Sequence, residues 1–167
     1  MTSRAFYTLA LAVFALDQAT KAWLRAAVPV GDTIPLVPGV FHITHTQNRG
    51  MAFSLLQGAT PLLVGAAVIV VAALIRAQWR AGVRMPLGMG LALALPLGGA
   101  LGNLVDRLRL GYVTDLFDFR LINFPVFNVA DAAITIGVPL LAWRLLTAGE
   151  EEIRAPETAP AEDAPAA

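Results

Sequence analysis

The chain alternates between long apolar runs and short polar intervals, and the alternation predicts most of the elements. Residues 5–16 (AFYTLALAVFAL) carry no charge and follow Arg4. The run continues as DQATKAWLRAA and keeps helical character to about Ala27. A basic start and a short apolar core also fit a secretory signal, but no small-residue cleavage site follows, so a retained first helix is expected. Met51 to Ile75 is a second uncharged run, with Pro61 suited to the first turn of a helix. Met85 to Val105 is a third; Gly98 and Gly102 give it a small-xxx-small face, and Pro96 predicts a kink. Phe127 to Leu146 is the fourth, with Asp131 near its beginning.

The interval between the first two runs has a different pattern. Pro29, Gly31, Pro35, Pro38 and Gly39 punctuate its start. VFHITHT is then rich in β-branched and aromatic residues, with His42 and Thr44 alternating with Phe41 and Ile43, which is a strand signal. The expected fold class is therefore an all-α membrane protein: four transmembrane helices with a small extracytoplasmic β-platform between helices 1 and 2. The spans are expected at about 5–26, 59–76, 85–106 and 127–147, with the platform at about 28–58. Residues 1–149 read as one membrane domain. Residues 150–167 read as an acidic Ala/Pro tail that lacks the apolar surface to order itself.

Composition sharpens this picture. Of 167 residues, 57% are hydrophobic and 14% charged, too apolar for a soluble surface of this size. The formal net charge of zero hides an asymmetry. Residues 150–167 hold six acids against Arg154, which leaves 11 basic and six acidic groups before them. Those six acids are all Asp. Four spans place both termini on one side, together with the 76–84 interval. Arg76, Arg80 and Arg84, with no acid among them, mark that side as cytoplasmic. The platform and the 106–126 segment then share the opposite face. The basic residues are too few and scattered for a nucleic-acid footprint.

There is no cysteine, which excludes disulfides, thiolate metal sites and thiol nucleophiles. His42 and His45 point to opposite faces of a strand and have no further ligand nearby in sequence, so no metal is expected. The polar groups inside the apolar runs are the candidates for chemistry, because an ionisable group at membrane depth is costly to place. Asp115 and Asp131 lie 16 residues apart, too far for one helix face, but the chain must turn at Phe124-Pro125 to re-enter the membrane. That turn can bring the two carboxylates together, where they would share a proton and activate water. The competing reading is that each is an interfacial cap. Asn128 and Asp131 share a helix face, as do Asn103 and Arg107. Asp17 and Lys21 form an i, i+4 pair that could simply neutralise itself. Asn48 and Gly50 suggest a turn with unusual backbone angles. Intramembrane Asp, Lys and Asn also suit an ion-coupled transporter. A platform-bearing adaptor and a phospholipid-headgroup transferase are further alternatives.

Four blocks carry a resemblance. LDQATKAWL (16–24), QNRGMAFSLL (47–56), GGALGNLVDRLRLGYVTDLFDF (98–119) and FNVADAAITIG (127–137) resemble the lipoprotein signal peptidases, or signal peptidase II, in that family's order. The resemblance implies a multi-pass aspartic endopeptidase of the bacterial cell inner membrane. Such enzymes remove the signal peptide from prolipoproteins, cutting just before a cysteine that carries diacylglycerol. It implies both termini in the cytoplasm, an active site near the extracytoplasmic face, no cofactor, no metal and a monomer. The expected partners are lipid-modified prolipoproteins, membrane lipids and globomycin-type inhibitors, with no nucleic acid. By motif, Asp115 and Asp131 become the catalytic pair. Asn48, Gly50, Asn103, Arg107, Asn128, Asp17 and Lys21 become substrate-binding or supporting residues, with Ala52 beside the cradle. Asp106 and Asp118 receive no role from it.

Overall fold

The computed structural model describes residues 1–50, 58–122 and 124–154. In chain order it contains α1 (Ser3–Ala27), β1 (Thr33–Val37), β2 (Phe41–Asn48), α2 (Thr60–Ala81), α3 (Leu87–Leu110), β3 (Val113–Phe119), a 3-10 turn (Arg120–Ile122) and α4 (Val129–Arg154). The protein is mostly helical, with one small antiparallel sheet in the order β1-β2-β3. Among the described residues, three helices are long and apolar enough to cross a membrane: Thr60–Ala81, Leu87–Leu110 and Val129–Thr147. α1 matches them in length with 25 residues, but it carries Asp17, Gln18 and Lys21 in its second half.

α3 is the central helix. Its apolar stretch is largely buried in the protein, whereas those of α2 and α4 are largely open. Small residues make this possible. A Cβ on Gly98 would collide with the Ala10 carbonyl and Val13 of α1, and one on Gly102 with the Asp17 carboxylate. Gly99 faces the Ala130 carbonyl of α4, and Gly137 of α4 lies against Pro96. With no hydrophobic drive between helices in lipid, such close backbone approach is how helices gain contact. At one end of the bundle Phe6, Ala10, Leu74, Met85, Leu93, Ala94 and Leu97 form a core. There Ser3 N–H donates to the Val83 carbonyl at 3.0 Å, and the chain start bridges to Arg84. The sheet sits at the other end, seated on α1 through Leu24, Val28, Ile43 and Leu116.

The sheet corrects the expected layout. β2 falls where the alternation placed it, but the platform is not built from residues 28–58 alone. Its third strand, β3, comes from the segment between α3 and α4 and pairs with β2. The two Asp in VTDLFDF mask a strand-forming run of Val, Thr, Leu and Phe. β1 includes Pro35, which an edge strand tolerates because proline lacks an N–H and the open side of an edge strand asks for no donor. The arginines read as a loop over 76–84 are partly helical: α2 runs to Ala81 and includes Arg76 and Arg80. Arg is a good helix former, and its long stem reaches polar surroundings from a helix end. α4 continues through Arg154, so residues 150–154, expected in the tail, are helical. Residues 155–167, Met51, Ala52 and Phe53 lie outside the described residues.

Candidate active site

Four elements converge where the sheet meets the helices. α3 ends at Gly111, whose φ of +78° is a left-handed cap, and β3 begins two residues later. Asp115 is thereby carried just above the end of α3. Phe127 then bridges back onto β3: its carbonyl accepts N–H bonds from Leu116 at 3.0 Å and Phe117 at 2.8 Å, and its own N–H donates to the Phe117 carbonyl at 3.1 Å. Stacked and tilted contacts among Phe41, Phe117, Phe119, Phe124 and Phe127 pack this turn. The turn expected at Phe124-Pro125 thus returns the chain against β3 and starts α4 beside it.

The start of α4 is a reciprocal cap. Asn128 Oδ1 accepts the Asp131 N–H at 2.8 Å, and Asp131 Oδ2 accepts the Asn128 N–H at 3.3 Å. Each side chain satisfies a donor that the helix leaves free. Asp131 is therefore a helix cap, as one reading of the sequence had it, and its other oxygen is still available. Asp131 Oδ1 accepts from Asn103 Nδ2 at 2.8 Å. Asn128 Nδ2 donates to Asp115 Oδ1 at 2.6 Å, and Asn48 Nδ2 donates to Asp115 Oδ2 at 3.1 Å. One asparagine side chain, Asn128, therefore touches both carboxylate-bearing residues. Arg107 Nη2 donates to the Gly50 carbonyl at 3.1 Å, and the Gly50 N–H donates to Asn48 Oδ1 at 3.0 Å. That chain of contacts fixes the amide of Asn48 with its nitrogen toward Asp115.

Asp115 is 2% exposed. Burial, followed by the neighbouring Asp131 carboxylate, pushes its carboxyl from the ordinary 3.8 up to about 7, against the hydrogen bonds from Asn128 and Asn48. Asp118, on the same strand, goes the other way. Burial would raise it, but hydrogen bonds from Thr44 and Arg120 and the Arg120 charge hold it below its ordinary value. Two carboxylates three residues apart on one strand are thus pushed in opposite directions by their surroundings.

Beneath the site lies a buried ionic cluster. Lys21 Nζ lies 2.8 Å from Asp17 and 3.3 Å from Asp106, and donates to Asn103 Oδ1 at 2.9 Å. Asp17 Oδ1 accepts the Ala130 N–H at 3.0 Å. Gln18 Nε2 donates to Asp17, to Asp106 and to the Gly102 carbonyl, each at 3.2 Å. Asp17 and Lys21 are fully buried. Lys21→Met leaves two buried acids facing each other, and loss of one partner from such a cluster costs about 3–5 kcal/mol. Thermal unfolding in detergent should show this as a large drop in midpoint.

All nine residues singled out in the sequence lie in this region. Asp115, Asp131, Asn48, Asn103, Asn128, Asp17 and Lys21 join one hydrogen-bonded network, and Gly50 and Arg107 enter it through Asn48 and the Asn103 carbonyl. His42 instead accepts from the Gly39 N–H at 3.2 Å, and His45 bonds the Val28 carbonyl at 2.6 Å, so both serve the platform's turns. The sequence reading missed Gln18, Thr114 and Arg25, and gave Asp106 no role. The signal for Gln18 was its position beside Asp17 in an apolar helix. Thr114 has no such signal, because a threonine in a strand is ordinary and its bond to Asp106 is made by its backbone N–H.

Helices long and apolar enough to cross a membrane, with buried carboxylates and amides gathered at one end of the bundle, fit a membrane enzyme. The comparisons with known proteins specify which kind. Residues 9–147 match the family model described as signal peptidase (SPase) II. The lipoprotein signal peptidase of Moorella thermoacetica is 44% identical over 151 residues, covering 90% of this chain and 99% of the relative. That of Pelotomaculum thermopropionicum is 46% identical over 134 residues, covering 80% and 86%. A bacterial membrane enzyme solved by the in meso method at 2.3 Å superposes with a TM-score of 0.82 at 28% identity, covering 99% of each chain. A second, solved at 1.9 Å, gives 0.76 at 33% identity, covering 86% of this chain and 94% of the other. The chain belongs to the signal peptidase II family, and so is a peptidase of lipoprotein processing.

Proposed function

We propose that this protein is an intramembrane aspartic endopeptidase that removes the signal peptide from diacylglyceryl-modified prolipoproteins, cutting just before the lipidated cysteine. Asp115 and Asp131 are its catalytic pair. The observation that carries this reading is the bridge made by Asn128, which donates to Asp115 and caps the helix turn that presents Asp131. Two carboxylates held this way from separate elements favour one shared proton. The ionised member takes a proton from water, the water attacks the scissile carbonyl, and the protonated member donates to that carbonyl oxygen. The proton taken from water then passes to the leaving amine as the C–N bond breaks, and a hydroxyl of the tetrahedral diol returns its proton to the other carboxylate, which restores the singly protonated pair. Asn48, Asn103, Asn128 and Arg107 orient the carboxylates and the Gly50 turn against which an extended substrate would lie. The lipid on the substrate cysteine holds the scissile bond at the bilayer boundary, which reduces the search to two dimensions.

Residues 1–149 act as a single membrane domain with α1 as a fourth span. Its 25 residues reach about 37 Å, and Asp17 and Lys21 are neutralised inside the bundle rather than exposed to lipid. The enzyme sits as a monomer in the bacterial inner membrane with both termini cytoplasmic. Arg76, Arg80 and Arg84 mark that side. On the sheet side Arg25 reaches Thr114, Arg107 the Gly50 carbonyl and Arg120 Asp118, so those cations have structural partners and carry less weight as topology signals. No metal or cofactor takes part, and globomycin-type inhibitors compete at the same site.

The test is cleavage of a purified lipidated precursor in detergent, without an ion gradient. A shortened product supports the peptidase; its absence with a correctly inserted protein would return the transporter and adaptor readings. The pH profile gives a second check. With Asp115 near 7, the singly protonated pair is lost as pH rises, so the alkaline limb of kcat/KM should have its midpoint near 7. The same raised carboxyl contributes stability below about 4 that is lost as pH rises through 7. From this group alone, the melting midpoint should be lower at pH 8 than at pH 5.

A further inference from the structure

The buried cluster grips the backbone at two matching places. Asp17 accepts the N–H of Ala130, the residue before Asp131. Asp106 Oδ2 accepts the N–H of Thr114, the residue before Asp115, at 3.1 Å. Lys21 lies between the two acids and holds them together. β3 is the edge of the sheet away from β1, and its outer side is held on both flanks of Asp115: by Asp106 at Thr114, and by Phe127 at Leu116 and Phe117. The Thr114 side chain is also tied down, because Arg25 Nη1 donates to its Oγ1 at 3.0 Å and lies 3.9 Å from Asp106. Asp106 is 1% exposed and Thr114 fully buried, so no solvent can replace these bonds without opening the site.

Resting on the peptidase reading above, we propose that Asp106 is a positioning residue for the reaction, which sets the seat of Asp115 relative to Asp131 through the Thr114 backbone. It acts through the strand and not on the scissile bond. A carboxylate suits the task because it accepts several donors at once: Oδ2 takes Thr114 N–H and faces Lys21, while Oδ1 takes Gln18 and faces Arg25. The Lys21 charge is shared with Asp17, so a shift at Asp106 is felt at α4 as well. The groups facing Asp115 are Asp131 from α4, Lys21 from α1, Arg107 from α3, and the amides of Asn48 and Asn128.

Two substitutions separate the bond from the charge. Asp106→Asn keeps an oxygen for the Thr114 N–H and drops the charge. Asp106→Glu keeps the charge paired with Lys21 but lengthens the arm by one methylene, which moves Thr114. Positioning predicts that Asp106→Asn retains kcat within about three-fold, and that Asp106→Glu loses about 10- to 100-fold in kcat with KM little changed, since small misplacements of a reacting group are that costly. Because Glu preserves the charge, movement of the alkaline limb to lower pH in that variant reports Asp115 drawing away from Asp131. Gln78→Ala, at the far end of α1 and α2, controls for stability: it should lower the melting midpoint and leave the profile in place. A Glu variant with parental kcat and profile, or an Asn variant as impaired as Glu, overturns the assignment. Retained cleavage by Asp115→Asn would instead remove the catalytic reading on which it rests.

Discussion

Replacing Asp115 by Asn should reduce cleavage of a diacylglyceryl-modified precursor by about 10³- to 10⁴-fold, the range expected when a general acid–base group is removed. Asp131→Asn should do the same. The substitution is nearly isosteric, and among the described residues the Asp115 carboxylate is hydrogen-bonded by the amides of Asn48 and Asn128, so strand β3 should remain in register. Loss of product with unchanged membrane insertion and melting is the signature of chemistry rather than folding. In the proposed mechanism each replacement removes the shared proton, since one remaining carboxylate can act as acid or base but not as both at once. Asp118→Asn is the internal contrast. It sits three residues along the same strand, paired with Thr44 and Arg120, and should leave turnover within a few-fold. Equal loss in Asp118→Asn, or product from Asp115→Asn at more than a few per cent of the parental rate, would reassign the site.

Asn128→Ala is expected to lower kcat by about 10²- to 10³-fold, the scale of losing one preorganised donor from an active site. It should also destabilise the fold by about 1–3 kcal/mol, because the N-cap of α4 is lost and Asp131 N–H is left without its acceptor. Asn128→Asp separates the two effects. Aspartate is a good N-cap, so the helix start is retained, but a third carboxylate then faces Asp115 where an amide N–H had stood. That variant should be as inactive as Asn128→Ala while losing less of its cap. Precursor cleavage and thermal unfolding on the same detergent preparation read both numbers. An active Asn128→Asp would show that the bridge between the two carboxylates has no part in turnover.

Much of the frame is written in residue order. The uncharged runs around Leu62, Leu93 and Leu140 specify helices whatever the rest of the chain does, since a backbone in lipid must satisfy its own hydrogen bonds. The strand over VFHITHT is legible from period-two alternation, and the turn at Phe124-Pro125 from the need to re-enter the apolar layer. The four blocks carried the family, and with it Asp115 and Asp131. β3 was not legible, because two aspartates in seven residues look like a polar loop. They are affordable there only because Asn48, Asn128, Thr44 and Arg120 meet them. The role of Asp106, a costly acid in its own right, was equally hidden. Its work is done on the Thr114 backbone N–H, and a backbone donor has no residue type to read.

The sequence by itself determined the class of protein, the helical framework and the inventory of groups able to do chemistry, because hydropathy and residue type are local properties. Only the tertiary structure decided which of those groups meet. Asp131 could be a cap or half of a pair, and proves to cap its helix with one oxygen while the other accepts from Asn103. Asp17 and Lys21 could be a closed ion pair, and prove to be part of a cluster that ties α1 to α3, β3 and the first turn of α4. These outcomes depend on contacts between residues up to 113 positions apart. Such contacts arise from the glycine-lined packing of α3 against α1 and α4, in which each helix is placed by its neighbours.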